Sequence, residues 1–443
     1  MKLANYTDTS GTKSIRIKTS PGIADWFFAI LGILCLSSIL FALTRAGLLP
    51  QPVFVLLKYF VWGMSTILVC IFWKSTIITI SRNITLFLLV ALSLMSFFWS
   101  ESPDYTLSTD LEVLILTFFG LYIAKRFSLK EQVRLLAFTL LIVAFFSVIF
   151  VIVFPAVGIH GANEEYSGAW RGVYAHKNAL GSAMVLGALT FFALPKENHY
   201  LYKWFGLSFS LFLIVLSSSK TSLVIFFLLI FIMMFYQRFR WQGKLSIIFI
   251  DIGILILGCV SLVVSSYWIE LITGLGRDPT LTGRTLLWSY GLSRLVERPL
   301  LGYGFGAFFA PNSNYAIEAS YAVGTGWVAP NVHNGFLDIS LDLGLIGLLL
   351  FLIIYFTTFI RALKIAYATN NPENIWPLAY LTFLAMINVT ESNLMAKFSL
   401  NWILFVIVVV TLNQKSRIYA SVSPCQEGTM GSKETIYYLE SKD

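Results

Sequence analysis

The sequence predicts an all-α membrane protein with about twelve transmembrane helices and one large outer loop that contains short amphipathic helices. Hydrophobic residues make up 57% of the 443 residues and charged residues only 12%, whereas a soluble domain has about 45–50% and 25%. The mean hydropathy is +0.77. The apolar residues are gathered in runs of roughly 20, the length that a helix needs to cross the hydrocarbon of a bilayer.

Each apolar run is expected to be helical, because backbone groups in lipid need hydrogen-bond partners within their own segment. The twelve predicted spans cover residues 25–43, 53–73, 84–100, 107–124, 133–154, 179–194, 204–219, 222–236, 245–267, 336–360, 375–390 and 398–413. The connections are mostly short, as is typical of neighbouring antiparallel helices.

The basic residues predict the orientation. Lys and Arg are retained in cytoplasmic loops, and most of the 31 lysines and arginines fall on one face when the N-terminus is cytoplasmic. The predicted order is a cytoplasmic segment 1–24, nine spans in 25–267, an outer loop 268–335, three spans in 336–413 and a cytoplasmic tail 414–443. This asymmetry accounts for most of the net charge of +8, so the lipid bilayer is an expected partner and nucleic acid is not.

The outer loop contains "LTGRTLLWSYGLSRLVERP", which predicts a short amphipathic helix with Thr282 as N-cap and Pro299 at its end. Free N–H groups and the helix dipole favour an anion at such an N-terminus. Arg284 would add a planar donor for phosphate there, although a solvated surface arginine is the alternative. Arg277, seven residues earlier, is a further candidate for substrate binding, although a proline and a glycine separate the two arginines.

A histidine stands at the start of the tenth predicted span, in "PNVHNGFLDISLDLGLIG". A neutral imidazole can accept the proton of a hydroxyl, so His333 is a candidate general base. The alternative is an interfacial histidine beside a helix cap, which Asn334 could equally provide. Asp338, about one helical turn further on, is expected either to support His333 or to hydrogen-bond within the helix bundle.

Two further outer segments carry cations where the insertion bias normally depletes them. In "LSSSKTSLV", Lys220 joins spans seven and eight almost without a loop, and it is expected either to snorkel or to bind an anion. The stretch "WRGVYAHKNALG" opens the sixth span, and we predict substrate binding there rather than lipid headgroup contact. Its candidate side chains are Arg171, His176, Lys177 and Asn178.

His333, Asn334, Gly344 and Gly347, together with "TGRTLLW" in the loop, resemble the signature of the O-antigen ligase superfamily. This superfamily includes O-antigen ligases, O-antigen polymerases and exopolysaccharide polymerases. The predicted architecture also resembles that of the family: twelve helices, both chain ends in the cytoplasm and one large outer loop. "RGVYAHKNALG" and "SSSKTS" look more like the exopolysaccharide polymerase branch.

The resemblance implies an inverting transfer of a glycan from an undecaprenyl diphosphate carrier to an acceptor hydroxyl at the periplasmic face of the bacterial inner membrane. It implies no metal, nucleotide or other cofactor. In ligases of this type two arginines and a histidine are thought to line the site; His333 matches the histidine and Arg284 one arginine. Lys220 stands where the other arginine is expected, and lysine keeps the charge but lacks the planar fork.

The partners implied by the resemblance are the carrier-linked glycan, an acceptor glycan or lipid, and other proteins of polysaccharide assembly. An O-antigen ligase that attaches glycan to lipid A core or protein is one alternative, because the sequence does not encode the acceptor. A flippase is an alternative of another class, but it would be expected to show related halves and mid-membrane helix breaks. A purely structural membrane partner is a third.

Overall fold

The computed structural model describes residues 20–36, 39–162, 164, 166–238, 252–260, 262, 284–323, 328–368, 371–396 and 399–422. These residues are mostly helical and contain no strand, apart from an isolated bridge between Ile159 and Trp170. The predicted all-α fold is therefore confirmed. The boundary predicted at residue 267 lies outside the described residues.

The N-terminal half forms a series of helices joined by short connections. In chain order they are α1 (Ile23–Leu36), α2 (Ile39–Arg45), α3 (Gln51–Ile71), α4 (Trp73–Arg82), α5 (Ile84–Met95), α6 (Pro103–Arg126), α7 (Leu129–Val153), α8 (Pro155–Gly158), α9 (Lys177–Phe192), α10 (Tyr200–Leu216) and α11 (Lys220–Arg238).

Among the described residues, the C-terminal half contains one helix before the large loop, two helices of that loop and three helices after it. In chain order the elements are α12 (252–260), α13 (Arg284–Glu297), α14 (Asn314–Val323), α15 (Gly335–Ala368), α16 (Trp376–Thr390) and α17 (Leu400–Val422). The helix predicted in the loop is thus α13. Its proposed cap Thr282 lies outside the described residues.

Within the described residues, four helices are long and apolar enough to cross a membrane: α3, α6, α7 and α15 as far as Tyr367. The pair α4 and α5 would make a fifth, although the chain bends by 96° between them. Several other helices are apolar but shorter. The chain is therefore a membrane protein by the character of its helices, and the number of twelve spans stays a prediction.

The bend between α4 and α5 lies at Asn83. The Nδ2 of Asn83 donates to Thr79 O at 2.9 Å, and Asn413 Nδ2 donates to the Asn83 side-chain oxygen at 2.9 Å. A polar side chain that inserts at a helix end satisfies backbone groups left over by the break. The bend is thereby fixed against α17.

Helix α6 defines two ends of the molecule, about 36 Å apart for its 24 residues. At the "Glu101 end", Glu101 N–H donates to Tyr303 O of the large loop at 3.0 Å. At the "Arg126 end", Arg126 Nη2 pairs with Asp25 Oδ2 at 2.7 Å. Between the ends, Lys58 of α3 forms an ion pair with Glu112 of α6, which compensates both charges inside the apolar region.

Helix α15 is broken at Gly344, which has a φ of +67°. Gly344 approaches Leu300 so closely that a Cβ would stand 2.0 Å from Leu300 O. The loop supplies the missing hydrogen bonds: Tyr303 N–H donates to Leu341 O at 2.8 Å, and Leu345 N–H donates to Pro299 O at 2.8 Å. Interrupted backbone is tolerated at membrane depth where protein surrounds it. This part of the loop is therefore bonded to α15 through its backbone, although the side chains of Leu300 and Leu301 are exposed.

Candidate functional site

A single carboxylate, that of Glu391, lies where four separate segments meet at the Glu101 end. Asn178 Nδ2 donates to Glu391 Oε1 at 2.8 Å, and Arg284 Nη2 donates to the same oxygen at 3.2 Å. His333 Nδ1 lies 3.5 Å from Glu391 Oε2. The side chain of Glu391 is only 18% exposed. We call these four residues the Glu391 cluster.

Each member of the cluster stands at the end of a helix. Asn178 is in the first turn of α9, Arg284 begins α13, His333 precedes α15 and Glu391 follows α16. The N–H of Gly335 at the start of α15 donates to Glu391 O at 3.2 Å, which ties two of these ends together. Helix ends leave backbone groups without intrahelical partners, so polar side chains gather there.

The two terminal nitrogens of the Arg284 guanidinium donate to two different acceptors. Nη1 donates to Thr390 O at 2.7 Å, while Nη2 reaches Glu391. Thr390 is the last residue of α16, so this bond satisfies one of the carbonyl groups at the helix C-terminus. The side chain of Arg284 remains 23% exposed, which leaves part of the guanidinium accessible. Arg277 lies outside the described residues.

His333 has a left-handed backbone conformation, with a φ of +54°. This is uncommon for a residue with a side chain, and such strain is often found at functional sites. The conformation is held by its neighbours: His333 N–H donates to Asn331 Oδ1 at 3.0 Å, and Asp338 Oδ1 accepts from Val332 N–H at 3.1 Å. Asn334 Oδ1 caps α15 by accepting from the N–H groups two and three residues later, both at 3.1 Å.

The electrostatic environment of Glu391 favours its charged form. Burial alone would raise the pKa of this carboxyl, but the His333 ring and the Arg284 charge together outweigh burial and hold the pKa below its ordinary value. An ionised Glu391 can in turn stabilise a positive charge on His333.

The serine turn before α11 connects to the cluster through Asn178. Ser219 Oγ donates to Asn178 Oδ1 at 3.0 Å and lies 3.0 Å from Ser222 Oγ. Lys220, the next residue, has an exposed side chain, and no salt bridge or hydrogen bond of that ammonium occurs within the part of the chain that the structure describes. Lys220 is therefore next to Ser219 in sequence, but no contact of its ammonium with the Glu391 cluster occurs among the described residues.

Of the other predicted cations of the 171–178 stretch, Arg171 is held within its own loop, whereas Lys177 Nζ also donates to Ser218 O of the serine turn at 3.3 Å. Arg171 is buried; its Nε donates to Val157 O at 2.8 Å and its Nη1 to Glu164 Oε2 at 3.2 Å. The Lys177 ammonium lies 4.0 Å from the centre of the Tyr166 ring. The structure therefore brings Asn178 to the cluster, but it commits the guanidinium of Arg171 to loop contacts.

Two histidines cap the first turn of α9. His160 Nε2 accepts from Lys177 N–H at 3.2 Å, and His176 Nδ1 accepts from Asn178 N–H at 3.2 Å. Burial lowers the pKa of His176, and the nearby cations lower it further against the opposing effect of Glu391. A neutral ring nitrogen is the form that can accept a hydrogen bond.

Sequence reasoning missed Glu391, His160 and Ser219. The signal for Glu391 was present: it is an acidic residue in the short connection between two apolar runs, on the same predicted face as His333. His160 was missed because the contact by which it caps α9, from Lys177 N–H, lies seventeen residues away in sequence; its other partner, Glu164, is four residues away. Within the described residues no group of three or more His, Cys, Asp or Glu side chains could hold a metal ion.

Comparison with known proteins shows that the chain is similar to proteins named for polysaccharide synthesis. Residues 205–352 match the family model described as O-Antigen ligase, a segment that contains Lys220, Arg284 and His333. The chain is 24% identical over 313 residues to the exopolysaccharide production protein ExoQ of Rhizobium meliloti, which covers 68% of this chain and 70% of that protein.

Two shorter matches carry the provisional name polysaccharide ligase. One, from Rickettsia conorii, is 32% identical over 82 residues, and the other, from Rickettsia felis, is 34% identical over 80 residues; each match covers 18% of this chain and 19% of that protein. The predicted resemblance to the O-antigen ligase superfamily is therefore confirmed by the family model over residues 205–352 and by similarity to an exopolysaccharide production protein.

Proposed function

We propose that this protein is a polysaccharide polymerase that transfers a glycan from an undecaprenyl diphosphate carrier to an acceptor hydroxyl at the Glu101 end. The observation that carries the proposal is the convergence of His333 and Arg284 on Glu391. Similarity to ExoQ over two thirds of the chain supports a role in exopolysaccharide synthesis.

His333 is the proposed general base. One ring nitrogen faces Glu391, and we assign the other to the acceptor hydroxyl. As the acceptor oxygen forms its bond to the anomeric carbon, its proton passes to that nitrogen, and the bond from the anomeric carbon to the diphosphate breaks with inversion. Glu391 balances the positive charge that the imidazole gains.

Arg284 and Lys220 are the proposed stabilisers of the leaving diphosphate. Negative charge accumulates on its oxygens as the glycosidic bond breaks, so preorganised cations lower the barrier more than they favour the bound substrate. Asn178 holds Glu391 in place, and Asn334 and Asp338 hold the backbone that carries His333. Substrate contacts of His176, Lys177 and Arg277 stay predictions.

We place the Glu101 end at the periplasmic face of the bacterial inner membrane, with both termini in the cytoplasm. Basic residues gathered at the Arg126 end support this orientation, since Lys and Arg are retained on the cytoplasmic side. The residues of that end are Arg126, Lys130, Arg134 and Lys415.

A reconstituted assay tests the proposal. The purified protein is placed in liposomes, and carrier-linked repeat units from the host strain are supplied on the side that the Glu101 end faces. We expect longer carrier-linked glycan and free undecaprenyl diphosphate without added nucleotide. Absence of both products, with the protein shown to be folded, would contradict a transferase.

A transporter is the second candidate, because Gly344 interrupts a long apolar helix and broken helices are typical of transporters. Here, however, the freed backbone groups are bonded to the loop. Turnover of substrates that are already on the product side would exclude an obligatory flipping role. Glycan analysis of a deletion strain separates the enzymes: single repeats indicate a polymerase, whereas long untransferred chains indicate a ligase.

A further inference from the structure

A polar cleft separate from the Glu391 cluster lies between the first turns of α6 and α14. Its cavity volume is about 170 Å³, below the roughly 300–1,000 Å³ of sites that enclose a whole drug-sized ligand, so it suits a single small group of a larger ligand. Its polar lining consists of Glu101, Ser102, Asn312, Ser313, Asn314 and Tyr315.

The side chains of the cleft suit a neutral ligand that carries hydroxyl groups. Asn312 and Asn314 are exposed, and neither amide has a side-chain hydrogen bond within the described residues. An amide both donates and accepts, as a sugar hydroxyl does. Glu101, the charged lining residue, is neutralised by its ion pair with Arg298, so the cleft lacks the excess of cations that a phosphate site needs.

The shape of the cleft is held by its floor. The ring of Tyr315 is stacked on Phe308 with centroids 5.1 Å apart, and it contacts Tyr303 at 4.7 Å. Ser313 Oγ donates to Phe308 O at 2.7 Å. Asn312 has a φ of +67°, which turns the chain at the rim. A site that is rigid before binding loses less entropy when a ligand enters.

The cleft and His333 belong to one docked unit at the Glu101 end. Trp288 Nε1 of α13 donates to Val332 O, beside His333, at 2.8 Å. Tyr290 of the same helix donates to Glu318 Oε2 of α14 at 2.7 Å. Helix α13 therefore contacts the segment that carries the proposed base on one side and the helix that forms the cleft on the other.

We propose that this cleft binds a sugar residue of the glycan, at a distance from the bond that reacts. The assignment rests on the proposed function. A polymer that is held away from the reacting end can supply binding energy to position the end that reacts. Both the donor and the acceptor glycan offer such hydroxyl groups.

The double variant Asn312→Gly with Asn314→Ala tests the cleft, since glycine tolerates the positive φ. Its control is Asn371→Ala, an exposed asparagine near the Arg126 end. We expect the double variant to raise KM about tenfold, which corresponds to the loss of one or two hydrogen bonds, with kcat nearly unchanged. A rise in KM for the donor alone or the acceptor alone identifies which glycan occupies the cleft.

A binding measurement separates this proposal from the proposed function. Oligosaccharides released from the host strain's own polysaccharide are added to the detergent-solubilised protein, and saturation-transfer NMR records contact. We expect a signal with the wild type and with Asn371→Ala, and its loss in the double variant. Equal signals in the wild type, the control and the double variant, or no signal with the wild type, would overturn the proposal that the cleft binds a sugar residue. Binding that depends on the two amides in a protein without transferase activity would leave the cleft standing and refute the transferase.

Discussion

At the Glu101 end charged side chains converge on one carboxylate, whereas at the Arg126 end they pair between neighbouring helix ends. Glu391 is contacted by Asn178, Arg284 and His333, which lie in three other segments. At the opposite end, Arg126 pairs with Asp25, and Lys130 pairs with Glu197 at 2.9 Å. Exposed pairs of the second kind contribute little to stability, about 0–1 kcal/mol.

The difference shows that convergence, rather than the number of charges, marks the candidate site. At the Arg126 end each carboxylate pairs with at most two basic residues, as Glu197 does with Lys130 and Arg134. Separation in sequence does not distinguish the two ends, because Arg126 is 101 residues from Asp25 and Arg284 is 107 residues from Glu391. What differs is that side chains of three other segments, one of them a histidine, meet at the single carboxylate of Glu391.

The largest expected contrast compares two histidines. His333→Ala removes the proposed base, and we expect kcat to fall by about 10²–10⁴. His199→Ala at the Arg126 end removes a cap that accepts from Leu201 N–H, so transfer should stay within a few-fold of the wild type. Polymer formation by equal amounts of folded protein in liposomes measures both. Near-normal activity in His333→Ala would remove the catalytic assignment.

Two arginines give the next contrast. Arg284→Ala should lower kcat by about 10²–10³, the usual loss when one preorganised donor is removed. Arg126→Ala loses the pair with Asp25 and is expected to change kcat little. Arg284→Lys should recover part of the rate, because it keeps the charge but not the fork. Equal effects at 284 and 126 would mean that the two ends do not differ in function.

Replacement of glutamate by glutamine sharpens the comparison further. Glu391→Gln keeps the shape but removes the charge beside His333, and we expect kcat to fall by roughly tenfold to a hundredfold, as for other groups that orient a functional histidine. Glu197→Gln at the other end is the control, and an unchanged kcat in Glu391→Gln would contradict the positioning role.

The smallest expected effect is on stability. Because burial holds the pKa of His176 below 6.5, the unfolded chain binds more protons, so stability is present above that value and falls as the pH drops below it. The carboxyl of Glu391 affects the pH dependence of stability only at lower pH, since its pKa lies below 4.5. Thermal unfolding between pH 7.5 and 5 should show the first loss, and His176→Asn, which can still cap α9, should reduce it. An identical loss in that variant would exclude His176 as its source.

Sequence patterns predicted the helices well, because the length and hydropathy of a segment decide whether it enters a bilayer. They also placed His333, Arg284 and Asn178 on one face. They could not predict that Glu391 joins these residues, since that depends on how α9, α13, α15 and α16 pack. The bend at Asn83 and the loop contacts of Arg171 likewise depend on tertiary neighbours, and neither has a local signal.

The break at Gly344 limits which part of the protein can move during turnover. Residues 299–303 complete the backbone hydrogen bonding of α15, so moving them away would leave N–H and C=O groups of α15 without partners, which is costly. We therefore expect this part of the loop to stay in place during turnover. Under the proposed function, substrate would then enter sideways from the lipid or through another rim of the bundle.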